Sequence, residues 1–154
     1  MKVLKIILGI IIIAVVAFAA KLYSEGQKSI TMKKPELIKD GVFLPCPDKP
    51  NCVCSMDDPG DKEHYLAPVS SEQNPISKIL GIFEDNKQYT VIEVTDSMIR
   101  AEFKSKIFRF VDDVIFLYDP EAKLLHFRSS SRVGYSDMGA NRKRIYAILK
   151  QLAL

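Results

Sequence analysis

The sequence predicts an α+β fold: a small antiparallel sheet of four to five strands flanked by helices and preceded by an N-terminal membrane helix. Three observations carry this. An uncharged apolar run, Ile6 to Ala20, opens the chain. Stretches rich in β-branched and aromatic residues, separated by tight turns, fill its middle. Apolar residues recur at helical spacing on either side of those stretches. The chain has 154 residues and a formal net charge of +3. It divides into 1–22, a transmembrane anchor or signal peptide; 23–40, a lysine-rich spacer; and 41–154, a length that suits one folded domain. The charge is too small and too dispersed for a nucleic-acid-binding face, which needs clustered basic residues, so no nucleic acid is expected.

In MKVLKIILGIIIIAVVAFAAK, Lys2 and Lys5 precede the apolar run. As a helix, Ile6 to Ala20 spans about 22 Å, short of the hydrocarbon core of roughly 30 Å. Val3 and Leu4 extend the span if Lys5 snorkels to the headgroups. Residues 4–20 are therefore expected to contact the membrane. Ala17-Phe18-Ala19 also has the small-residue character of a cleavage site. Removal near Ala19, leaving a secreted or periplasmic protein, is the alternative. Lys21, Lys28, Lys33 and Lys34 count against export under the positive-inside rule. The order of charge, apolar run and small residues counts for it, with the C-terminal domain in the periplasm or an equivalent exported space.

Asn74-Pro75 reads as a helix start, Asn as the cap and Pro at the first helical position. Ile76, Ile79, Leu80 and Phe83 then form one apolar stripe. Tyr89 to Val94 and Met98 to Phe103 read as strands joined by a turn at Thr95-Asp96-Ser97. In the second, Ile99, Ala101 and Phe103 alternate with Met98, Arg100 and Glu102. KIFRFVDDVIFLYDP predicts two short strands or one bent strand, broken near Asp112-Asp113. KLLHFRSS is the last strand, after a turn at Asp119–Ala122. Ile145, Ile148, Leu149 and Leu152 then define a final helix.

All three cysteines lie in FLPCPDKPNCVCS, where Pro45, Pro47 and Pro50 exclude a helix. Three readings compete. Cys46 and Cys52 can form a disulfide in an oxidising compartment, leaving Cys54 unpaired. Three thiolates, with His64 nearby, can hold Cu(I) or Zn, although the spacing is not that of a zinc finger. Cys54 alone can be a reactive thiol. Cys52 and Cys54 pair poorly, because alternate residues of an extended chain sit about 6.5–7 Å apart.

The most polar stretch is RSSSRVGYSDMGANRKR, Arg128 to Arg144. Arg128 is read as leaving the last strand, and Ser136 or Asp137 as capping a helix that begins near Asn141. The helix amides, Asn141, and the guanidinium groups of Arg128, Arg132 and Arg142 are candidates to converge on an anion. Ser129, Ser131, Ser136, Asp137, Asn141 and the three arginines are thus the candidate binding residues. Asp112, Asp113, Gly134 and Gly139 are read as supporting them. The expected ligand is an anionic small molecule, a lipid headgroup or an acidic protein partner. No metal and no cofactor are expected. The competing reading is structural: Asp112, Asp113 and Asp137 neutralise the same arginines, and the glycines supply positive φ. Asp112 and Asp113 should point to opposite faces of their strand. A Ser-His-Asp arrangement of Ser129–Ser131, His126 and Asp112 or Asp113 is disfavoured, because no nucleophile-elbow pattern surrounds any serine.

LPCPDKPNCVCS, FRFVDDVIF and FRSSSRVGYSDMGANRKRI, in that order, resemble the uncharacterised bacterial and plastid family known as domain of unknown function 1499. The resemblance covers roughly Gly41 to Leu152. It implies that Cys46, Cys52, Asp112, Asp113, Arg128, Ser129, Ser131, Arg132, Gly134, Ser136, Asp137, Gly139, Asn141 and Arg142 are family positions. It also implies a leading signal or membrane segment, hence export. Cys54 departs from the family pattern, which has a small hydroxylated residue there; that favours the Cys46–Cys52 pair over the metal and thiol readings. The resemblance brings no activity. The expected function is a membrane-tethered, non-enzymatic binding or envelope-maintenance module. An enzyme of unknown reaction using the same Arg/Asp cluster, or a thiol or metal protein, is the alternative.

Overall fold

The computed structural model describes residues 2–154, so residue 1 of the expected 1–22 segment lies outside the described residues. The first helix, α1, runs Lys2–Thr31. It is long and apolar enough to cross a membrane, a test that a signal sequence also passes, and its apolar window is entirely unburied. The helix continues well past the apolar run, through the lysine-rich segment. There Gly26 and Ser29 are buried. Ser29 Oγ donates to Gly26 O at 2.6 Å and accepts from Val111 N at 3.0 Å. The end of α1 is thus packed on the domain.

Four short strands follow. β1 (Ile38–Lys39) and β2 (Val42–Phe43) form a separate hairpin, turned by Asp40 and Gly41, both at positive φ. β3 (Cys52–Cys54) and β4 (Val69–Ser70) join the main sheet. α2 (Ile76–Glu84) begins one residue later than expected: Pro75 O accepts the first helical bond, from Ile79 N. Asn74 Oδ1 accepts from Ile76 N at 3.0 Å, so Asn74 still satisfies an amide of the first turn.

The sheet is six-stranded and antiparallel, in the order β3-β8-β7-β6-β5, with β4 also on β8. Its long strands are β5 (Tyr89–Val94), β6 (Met98–Lys104), β7 (Val111–Asp119) and β8 (Leu124–Ser131). Two expectations change. β7 is one unbroken strand, and the chain breaks earlier, at the β6–β7 turn. Asp112 and Asp113 stay inside β7 because it is paired on both sides, to Phe103 and Glu102 and to Ser131 and Ser130. Context overrides the poor strand preference of aspartate. Likewise β8, expected to run to Ser130 with Arg128 leaving it, holds Arg128 within the strand and carries Ser129, Ser130 and Ser131 in register with β7.

α3 (Ala140–Leu152) returns across one face of the sheet, beside α2. Ile76, Ile79 and Phe83 of α2 and Ile145, Ile148, Leu149 and Leu152 of α3 bury against Ile99, Ala101, Val114, Phe116, Leu125 and Phe127. This core follows the period-2 alternation of the strands and the stripes of both helices. Each large side chain so buried contributes about 1.5–3 kcal/mol. The opposite, outer face carries Arg100, Glu102, Asp113, Ile115 and Arg128, partly covered by Leu37 and Phe43 of the chain that leaves α1.

Candidate functional site

The period-2 alternation splits the polar stretch between the two faces. On the outer face, Asp113 is 1 % exposed and grips Arg132 through two bonds: Nε to Oδ2 and Nη2 to Oδ1, each 2.7 Å. Arg132 Nη2 also donates to Glu102 Oε1 at 2.7 Å, and its Nη1 reaches Ser29 O at 3.3 Å. The carboxylates of Asp113 and Glu102 hold Arg132 more firmly protonated than usual, against its burial. Burial works most strongly against the carboxylate of Glu102, but the bond from Arg132 together with the charges of Arg132, Lys34 and Lys104 outweighs it and lowers its pKa.

Arg100 lies beside this pair, its Nη2 donating to Pro35 O at 2.6 Å and lying 3.8 Å from Asp113. Its Nε is buried without a partner. Among the described residues, Arg128, 6 % exposed, has no carboxylate within ion-pair distance. It donates to Leu44 O at 2.9 Å, Pro45 O at 3.4 Å and Ser130 Oγ at 2.7 Å. Burial lowers its pKa. Three guanidinium groups therefore share this face with Asp113 and Glu102. A cavity of about 190 Å³ opens beside them, lined by Lys33, Arg128, Ser130, Ser131, Arg132 and Asp113 and by the chain from Met32 to Leu37.

On the helix face, Asp112 Oδ2 accepts from Arg144 Nη2 at 2.6 Å, and Arg144 lies 4.0 Å over the Phe103 ring. Arg144 also bonds Asn141 Oδ1 and Ser129 Oγ. Asn141 is wholly buried; it accepts from Ser129 Oγ at 2.6 Å and donates to Asn51 O at 2.9 Å and Ser131 Oγ at 3.0 Å. This closed network stitches β7, β8, α3 and the segment before β3 together. A larger open groove of about 730 Å³ runs between α2 and α3 past Tyr89, Phe103, Lys143 and Arg144, but the charge of Arg144 is already matched by Asp112.

The expected convergence of helix amides and arginines does not occur. Asp137 occupies the start of α3 with its own carboxylate, accepting from Gly139 N at 2.8 Å and Asn141 N at 2.7 Å. Ser136 Oγ, exposed, accepts only from Met138 N. Gly139 and Gly134 both sit at positive φ, which is why glycine is suited to them, and Gly134 O accepts from Asn51 Nδ2 at 3.0 Å. Arg142 points away, holding the Lys62, Glu63 and Tyr65 carbonyls. Arg128, Arg132 and Asp113 thus meet at the outer cavity, with Ser130 bonded to Arg128. Ser129, Asn141 and Asp112 belong to the helix-face network, as does the hydroxyl of Ser131, which also borders the cavity; Arg142, Ser136 and Asp137 serve the loops.

Cys46 and Cys52 form a disulfide, Cα–Cα 5.7 Å. It removes two of the three thiolates a metal would need, and among the described residues no cluster of His, Cys, Asp and Glu is placed to hold an ion. Cys54 is fully buried, and burial pushes its thiol up to about 11, far from a nucleophilic thiolate. His64 bonds Asp61 Oδ2 at 2.6 Å and donates to Lys49 O at 2.9 Å, tying two loops together. His126 meets Ser55 Oγ at 3.3 Å, not Ser129–Ser131.

Sequence reasoning missed Arg144, Asn51, Ser29, Arg100 and Glu102 as members of these networks. Arg144 follows Asn141 by three and precedes Ile145, so it lies on the buried stripe of α3; that periodicity was the available signal. Gly26 and Ser29, small residues three apart, marked the docked face of α1 in the same way.

Fold and network together define a class: an α+β domain with a buried Arg/Asp/Ser/Asn cluster behind an N-terminal apolar helix. The chain belongs to the family described as protein of unknown function (DUF1499), which matches residues 43–152. No curated relative and no solved structure matches it.

Proposed function

We propose that this chain is an uncleaved, single-pass membrane protein whose domain faces the periplasm or an equivalent exported space, and that it is a non-enzymatic binding module for a small anion. The site is the outer-face cavity. One observation carries this: among the described residues Arg128, buried at its wall beside Lys33 and Arg132, is paired to no carboxylate, although Asp113 and Glu36 line the same cavity. A buried cation with only neutral partners is costly, and an anionic guest would offset that cost by charge-assisted bonds in the planar geometry that guanidinium favours. The disulfide supports export, since such bonds persist in oxidising compartments.

The test is thermal unfolding of the full chain in detergent, titrated with inorganic phosphate, glycerol phosphate and acetate. Binding raises the melting temperature in proportion to ligand excess. Lys33→Gln, exposed, and Arg128→Gln should lose the shift while remaining folded in the absence of ligand. An equal shift in both variants, or no shift for any anion in the parent, refutes the site.

A further inference from the structure

We infer that the end of the sheet from which α1 departs is a second membrane contact, made by the β6–β7 and β8–α3 loops on an anionic bilayer. The inference rests on α1 being a membrane anchor, as proposed above. The contacts of α1 orient it. Gly26 packs against Phe108 of the β6–β7 loop, Ser29 against Val111 at the start of β7, and Pro35 O accepts from Arg100 in mid-β6. As the chain advances, its partners move from the loop into the sheet. Traced backwards from Gly26, the helix therefore leaves past this loop toward the apolar run. Gly26 lies about 9 Å along the helix axis beyond Ala20. The headgroup layer on each side of the hydrocarbon core is about 5–8 Å deep. The loop backbone thus stands just outside the headgroup layer, within side-chain reach of it.

β8 ends at the same edge, because Ser131 pairs with Asp112. The two loops carry the three most exposed large apolar side chains outside α1: Met138 (89 %), Ile107 (78 %) and Tyr135 (72 %). A single exposed apolar residue needs no explanation; three at one end of the domain, beside an apolar helix, are the composition of a membrane-interface surface. Lys106 and Arg109 flank Ile107 and are exposed, with no acid between Ser105 and Phe110. Asp137, the acid of the other loop, is engaged as the α3 cap. On the neighbouring turns Glu84 and Asp85 stand with Lys87, and Asp48 with Lys49. Basic side chains at this height are attracted to anionic lipid.

The chain contains no tryptophan, so a single substitution supplies a clean probe. Ile107→Trp is compared with Val94→Trp, at the opposite end of the sheet, each in the full chain reconstituted into vesicles. The vesicles are phosphatidylcholine with or without phosphatidylglycerol and contain lipid brominated near the headgroup. Flotation of the same samples reports anchoring independently. With the chain afloat, Ile107→Trp should be blue-shifted and quenched several-fold more than Val94→Trp, and more strongly with phosphatidylglycerol. Lys106→Glu with Arg109→Glu should reduce that quenching. Equal quenching at the two positions in floating protein overturns the loop contact while anchoring stands. Equal quenching in both lipids overturns its anionic preference. Protein that does not float overturns the anchor on which both depend.

Discussion

Gly26→Ala should undock α1 from the domain. A Cβ at this position lies 1.7 Å from Phe108 O, 2.9 Å from Phe108 C and 3.4 Å from Arg109 C. All three are backbone atoms and cannot swing aside. An ordinary carbon–oxygen contact needs about 3.3 Å, so helix and loop must separate by about 1.6 Å. The bond between Ser29 Oγ and Val111 N, now 3.0 Å, would then exceed hydrogen-bonding range. Val111 is 1 % exposed, and an unsatisfied buried amide costs about 1–3 kcal/mol. Adding the weakened Arg132–Ser29 contact, the docked state loses about 2–4 kcal/mol, a factor of roughly 30 to 900 in the docking equilibrium. The assay is hydrogen exchange at the Val111 amide of the full chain in micelles. Gly9→Ala is the control, since a Cβ there has nothing within 4 Å. Val111 should exchange faster in Gly26→Ala only, with mid-strand amides of β7 unchanged. Equal protection of Val111 in both variants would refute the docking geometry.

Two further outcomes follow from the helix face and the loops. Arg144→Met leaves Asp112 buried and unpaired and deprives Ser129 and Asn141 of a donor, so it should cost about 3–5 kcal/mol in urea unfolding; Arg144→Met with Asp112→Leu should recover part of that loss, and simple additivity of the two would show that the pair is not coupled. His64 is drawn two ways: burial lowers its pKa, but its bonds to Asp61 and Lys49 outweigh this and raise it above 6.5. Its stabilising contribution is therefore fully present below pH 6.5 and is lost as pH rises through the higher folded value. The melting temperature of the parent should fall relative to His64→Gln across that rise. His126, whose pKa burial lowers, is common to both chains and cancels; parallel profiles would show that the His64 bonds contribute nothing.

The elements were largely legible. The alternation in β6 marked Ile99, Ala101 and Phe103 as core and Arg100 and Glu102 as outward, and the structure keeps that division. The same rule separated Asp112 from Asp113: one now faces Arg144 and the other Arg132. The polar stretch misled because its residues read together as one site. Arg128 to Ser131 are strand residues on alternate faces, Arg128 and Ser130 outward and Ser129 and Ser131 toward α3, and their side chains are satisfied by α3, by the chain after α1 and by one another.

What the sequence determined by itself is periodic: an apolar helix, alternating strands, two striped helices and the residue types of the polar cluster, because these patterns depend only on near neighbours. Only the tertiary structure decided which residues meet. Ser29 reaches Arg132 and Val111, Asn51 reaches Asn141, and Arg128 bonds the Leu44 and Pro45 carbonyls and Ser130. Those outcomes follow from how the chain after α1 folds over the outer face and where α3 crosses the sheet, which no local pattern encodes.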